Sequence, residues 1–236
     1  MNASLLEAID NYCERTGPEL WSEPLNALTN LAFIAAGVWG LVLARRHGTG
    51  RFAEVLAWMA ILVGLGSGLF HTWANELTKW GDIIPIALFV FTYTLFALRR
   101  YLDLGRGTTA IAFIAFYAVA GFITWMVPQW LVVATNGSTG YLPALLALVA
   151  LGGWIAWSGH PAGRYMVAGG AIFIVAVACR IVDMRVCDAL PIGTHFLWHT
   201  LNGLLLGVLL TAAARYGHPS GDAVAAFGRD GVRQPA

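Results

Sequence analysis

His195 and His199 stand four residues apart in His195-Phe196-Leu197-Trp198-His199, a spacing that places two imidazoles one above the other on a helix face. Ser67 and His71 repeat that spacing in Ser67-Gly68-Leu69-Phe70-His71. Three histidines from two helices match the ligand count of a catalytic zinc site, whose fourth position is left to water. No Glu lies between His195 and His199, so this is not the HExxH arrangement of soluble metalloproteases. The base must come from elsewhere, and Asp82 is the nearest candidate. Its carboxylate can orient or deprotonate a water, while Ser67 can donate a hydrogen bond to a ligand, to the water or to a developing oxyanion. Each residue alone has a plainer reading. A lone histidine in a membrane helix is commonly a packing residue, and Ser67 beside Gly64, Gly66 and Gly68 is a small residue at a helix contact. Convergence of three His and one Asp carries the metal reading. Arg180 and Asp183 read as an intramembrane ion pair at i, i+3. His47, His160 and His218 read as solvated loop or tail residues.

The elements that must position these groups follow from composition. Of 236 residues, 58% are hydrophobic and 11% charged, less than half the charge of an average soluble domain. A net charge of +1 supplies no basic face for phosphates, which excludes a nucleic-acid reader. Seven apolar stretches are long enough to span a bilayer, at about 27–45, 53–71, 82–98, 108–126, 140–158, 164–182 and 193–213. The expectation is an all-α, polytopic seven-helix bundle with three parts: an N-terminal segment 1–26, a membrane domain 27–213 and a flexible tail 214–236. The acidic N-terminal segment lacks the basic-then-apolar pattern of a signal peptide.

Ten cations lie at loops 1–2, 3–4 and 5–6 and in the tail, against four (Arg15, Lys79, Arg180 and Arg185) on the other side. By the positive-inside rule the N-terminus is outside and the C-terminus cytoplasmic. On this count His71, Asp82, Arg180, Asp183, His195 and His199 share one membrane depth, toward the outer face. The only lysine, Lys79, falls outside the spans, so a retinal Schiff base is excluded. The lack of internal repeats disfavours a transporter. An Arg-, Ala- and Gly-rich chain with one Lys points to a GC-rich bacterial gene, and hence to the bacterial inner (cytoplasmic) membrane with the active site on its extracytoplasmic side.

These residues resemble a known family. Cys13-Glu14, Glu23-Pro24-Leu25-Asn26 with Asn30, Gly66 through His71, Asp82-Ile83-Ile84-Pro85, Arg180-Ile181-Val182-Asp183, Cys187 and His195 through His199 together resemble the alkaline ceramidases. That family belongs to a superfamily of seven-span hydrolases that includes the adiponectin receptors. The resemblance covers roughly residues 10–210; the eleven-residue step from His71 to Asp82 and the paired histidines opening the last helix are its specific features. It implies an intramembrane zinc amidohydrolase, with Zn2+ on His71, His195 and His199 and with Ser67 and Asp82 completing the site. The substrate implied is an N-acyl lipid amide, ceramide or ceramide-like, entering from the bilayer; no protein partner is implied. The resemblance also places Ca2+ on the N-terminal segment at Asn11, Tyr12 (through its carbonyl), Glu14, Thr16 and Glu23, although Asn11 and Thr16 stand where the family tends to carry Asp and Asn. Cys13 and Cys187 share the outer side, where oxidation is permitted, and are expected to form a disulfide, whereas Cys179 sits in an apolar run as a buried thiol. The competing reading is a membrane receptor or regulator with a structural zinc, which would have no need of Ser67 and Asp82.

Overall fold

The computed structural model describes residues 5–219. Within them seven helices are long and apolar enough to cross a membrane. They are α1 (Pro24–His47), α2 (Arg51–Thr72), α3 (Glu76–Arg100), α4 (Arg106–Trp125), α5 (Ser138–Trp157), α6 (Ala162–Arg185) and α7 (His195–Tyr216). This is an integral membrane protein, and the described residues form no strand beyond one isolated bridge between Ala8 and Asn75. α7 is the most enclosed helix and α4 the least. Around α7, residues such as Leu56, Ala60, Phe96, Met166 and Leu210 form one continuous apolar core.

Most boundaries differ slightly from the sequence reading, and the starts of α1 and α3 differ for a local reason. α1 starts at Pro24 rather than 27, because the Glu14 carboxylate accepts from Leu25 N–H at 2.7 Å and Asn26 N–H at 2.8 Å. Those first-turn donors would otherwise lack partners. α3 starts at Glu76, with Asn75 and Thr78 forming a capping box, so Asp82 lies nearly two turns inside the helix and Lys79 sits in its first turn, paired with Glu76. α7 continues to Tyr216, which takes 214–216 out of the expected tail; 220–236 lie outside the described residues. His160 is not the solvated residue expected. It packs against Tyr101 and Tyr216 with ring centroids 5.0 and 6.3 Å away, and burial holds its pKa below the ordinary histidine value.

The N-terminal segment is laid over the α2–α3 turn. Ile9 N–H donates to Ala74 C=O, Trp21 N–H to Thr72 C=O and Leu77 N–H to Leu5 C=O, at 2.9–3.1 Å. Cys13 and Cys187 are disulfide-bonded, with Cα atoms 5.4 Å apart, which ties the segment to the α6–α7 loop. Cys179 is a half-buried free thiol.

The contact that sets Asp82 against α2 is unusually close. Pro85 has no N–H, so the Gly81 carbonyl loses its helical donor. That carbonyl points at Gly66, where a Cβ would fall 2.1 Å from the Gly81 oxygen. Only glycine fits there, whereas a Cβ on Gly81 itself would meet open space. Gly66→Ala is therefore expected to force α2 and α3 apart, next to Ser67 and Asp82, and to cost about 1–3 kcal/mol. Gly81→Ala should be tolerated. Thermal unfolding of the two variants in detergent checks the asymmetry, and equal melting temperatures would disprove the contact.

Candidate metal centre

His71 lies on the last turn of α2, and His195 and His199 on the first two turns of α7. All three are about 1% exposed, and one ligand nitrogen from each can be chosen so that all lie within 4.8 Å of one another. Their ring centroids are 4.5–5.2 Å apart. The hydrogen bonds behind two of the rings fix their tautomers. His71 Nδ1 meets Glu23 Oε2 at 2.6 Å, so Nδ1–H donates and the Nε2 lone pair is free. The Thr29 hydroxyl already donates to the Leu25 and Asn26 carbonyls; it must therefore accept from His199 Nδ1–H at 3.1 Å, and this frees His199 Nε2. Among the described residues His199 Nε2 and His195 Nδ1 are buried without a hydrogen-bond partner. Buried orphan nitrogens on convergent imidazoles are unfavourable unless something electron-poor satisfies them. The three histidines thus fit a metal ion, and a three-nitrogen set is compatible with zinc.

Asp183 gives α7 its start. Its Oδ1 accepts from Thr194 N–H at 2.7 Å and His195 N–H at 2.9 Å, and its Oδ2 from Cys13 N–H at 3.0 Å. A carboxylate at a helix N-terminus satisfies the unpaired donors and complements the helix dipole. The turn into α7 needs Gly193, whose φ is +60° and whose Cβ would fall 2.1 Å from Asp183 Oδ1. This corrects the sequence reading, because Asp183 is not the ion-pair partner of Arg180. Arg180 instead donates to Asn136 C=O and Ser138 Oγ at 2.7 and 2.6 Å, with its guanidinium 5.4 Å from the Tyr141 ring. Neither role of Asp183 could be read from spacing, since its partners lie 11, 12 and 170 residues away.

Of the other expected site residues, Ser67 is buried and lies beside Asp82, whose Oδ1 is enclosed without a hydrogen-bond partner among the described residues. Tyr12 stacks on the His195 ring, with centroids 3.7 Å apart and planes 20° from parallel. Burial raises its phenol pKa above the ordinary range, against the opposing charge of Arg180. The set expected for calcium is used differently. Glu14 caps α1 with both oxygens, and Glu23 accepts from Arg15, His71 and Asn26. Asn11 and Thr16 are exposed. Burial works against charge on Glu23, but the bonds from His71, Asn26 and Arg15 outweigh it and hold its carboxyl below the usual range. Glu23, Thr29 and Asp183 are thus supporting residues; the sequence reading gave Glu23 and Asp183 different roles, as a calcium ligand and as the partner of Arg180, and gave Thr29 none.

Asp183→Ala would strip a charged acceptor from three N–H donors, each such bond being worth roughly 1.5–3 kcal/mol. The expected result is a destabilisation on the order of 3 kcal/mol or more, together with weakened metal retention, although Asp183 touches no imidazole nitrogen. Thermal unfolding and metal content of the purified variant check this, and wild-type values for both would refute it.

A family model described as Ceramidase matches residues 7–216, while no curated protein matches the sequence. The matched span takes in all seven helices, the three histidines, Ser67, Asp82 and the segment that carries Tyr12, Glu14 and Glu23. The chain belongs to the ceramidase family.

Proposed function

We propose that the protein is a zinc-dependent intramembrane amidohydrolase, which cleaves the N-acyl amide of ceramide or a ceramide-like lipid to a fatty acid and an amine. The observation that carries this reading is that Ser67, adjoining the three-histidine cluster and Asp82, also lines a deep apolar cavity. The cavity is walled by residues such as Val63, Phe89, Ala147, Phe173 and Leu205, and it reaches Tyr93 and Leu209. Leu209 is ten residues beyond His199 on α7, roughly 15 Å along the helix, which suits an acyl chain whose amide lies at the polar end. Family membership supports amide-bond hydrolysis, and the orphan imidazole nitrogens support the metal.

His71, His195 and His199 would hold the ion, which when bound supplies Lewis-acid polarisation of the amide carbonyl and acidifies a water. Asp82 accepts the proton of the attacking water and returns it to the leaving nitrogen. Ser67 donates a hydrogen bond to the carbonyl oxygen as negative charge develops there. The apolar walls exclude bulk water and align the acyl chain. The site would face the extracytoplasmic side of a bacterial cytoplasmic membrane, a placement supported by the cation asymmetry of the loops and by the Cys13–Cys187 bond at the same end.

Zinc content and turnover of N-acyl lipids, measured on the same preparations, test this reading. His71→Ala, His195→Ala and His199→Ala should each lose zinc. Asp82→Asn should keep wild-type zinc yet lose about 10²–10⁴-fold in turnover, and Ser67→Ala should lose on the order of 10²-fold. Full activity in Asp82→Asn would move the base elsewhere. Zinc-loaded wild-type protein inert toward every N-acyl lipid would favour the receptor reading.

A further inference from the structure

The N-terminal segment contains one cation, and it is buried. The Arg15 side chain is 1% exposed and forms an ion pair with Glu23, also 1% exposed. Its Nε donates to Glu23 Oε1, its Nη1 to Gly17 C=O at 2.9 Å and its Nη2 to His71 C=O at 3.4 Å. With Oε1 held by Arg15, Glu23 Oε2 is left for His71 Nδ1 at 2.6 Å and Asn26 Nδ2 at 3.1 Å. One guanidinium therefore touches both the backbone of His71 and the carboxylate that orients its ring.

This arrangement does not fit the calcium ion that the family resemblance implies. Calcium takes six to eight oxygens, several of them from carboxylates. The expected set has two carboxylates, and both oxygens of each already accept from protein donors. The Tyr12 carbonyl accepts from Arg15 N–H at 3.1 Å, and the remaining two residues, Asn11 and Thr16, are exposed and uncharged. A divalent ion on Glu23 would also lie against the Arg15 charge, with little solvent between them to screen the repulsion.

We propose that Arg15 is a built-in cation that serves where calcium would otherwise be needed, and that it is a positioning residue for His71 acting through Glu23. The second half rests on the metal reading of the three histidines. A buried carboxylate without its cation is an uncompensated charge, so loss of Arg15 frees Glu23 to turn from His71 and releases the ring orientation. Outer partners of metal-bound histidines commonly change metal affinity by 10–100-fold.

The test uses the full chain in detergent, with zinc retention against a competing chelator and the melting temperature both read across a calcium titration. Wild-type protein should be indifferent to calcium in both measures. Arg15→Met should lose zinc about 10–100-fold more readily, Arg15→Lys should recover part of that loss, and Glu23→Gln should match Arg15→Met with the double variant no worse than either. A wild-type melting temperature that rises with calcium overturns the assignment, as does Arg15→Met with wild-type zinc retention. If Arg15→Met does not fold, Glu23→Gln decides the positioning role, and unchanged zinc retention there refutes it. Wild-type protein that binds no zinc would sink the hydrolase reading instead, while the calcium titration would still decide whether Arg15 supplies the charge.

Discussion

Three buried imidazoles turn ring nitrogens toward one another, and most of the structure at this end of the bundle serves to hold them there. To hold a metal ion, each ring would need an outer contact that leaves the inner nitrogen unprotonated. For His71 the contact is Glu23, for His199 it is Thr29. His195 is placed differently, through its backbone N–H on Asp183 and its face on the Tyr12 ring. Two of the supports, Glu23 and Tyr12, come from the N-terminal segment before α1, and a third, Thr29, comes from the first turns of α1. That segment is part of the site rather than an appendage to the membrane domain.

Buried carboxylates are expensive to desolvate, and the protein offsets the cost by saturating them. Glu14, Glu23 and Asp183 together accept from six backbone or side-chain amides, one imidazole and one guanidinium. The same bonds join distant pieces of chain: Asp183 links Cys13 to the start of α7 beside the Cys13–Cys187 bond, and Glu14 fastens the segment to α1. Polar groups are thereby gathered at one end, leaving the interior between α2, α3, α5, α6 and α7 apolar enough for a lipid chain. Close helix approach at Gly66 and Gly81 completes this by bringing Asp82 toward Ser67.

The sequence by itself determined the seven spans, because a bilayer-length apolar run has no other stable solution, and it determined the histidine pair on α7, because i and i+4 share a face in any helix. It also brought His71 and Asp82 to the same end as that pair, since an odd–even count of crossings places helix ends without further information. What only the tertiary structure decided is the support of those groups. Asp183 reads locally as a partner for Arg180 three residues away, yet it faces Thr194, His195 and Cys13. Arg15 reads only as one of four cations on the outer side, yet it lies buried between Glu23 and the His71 backbone. The physical reason is the same in both cases. Helical periodicity fixes neighbours within a turn, whereas the partner of a buried charge is chosen by which chain segments pack together after folding, over separations of 170 residues for Cys13 with Asp183 and 48 for Glu23 with His71.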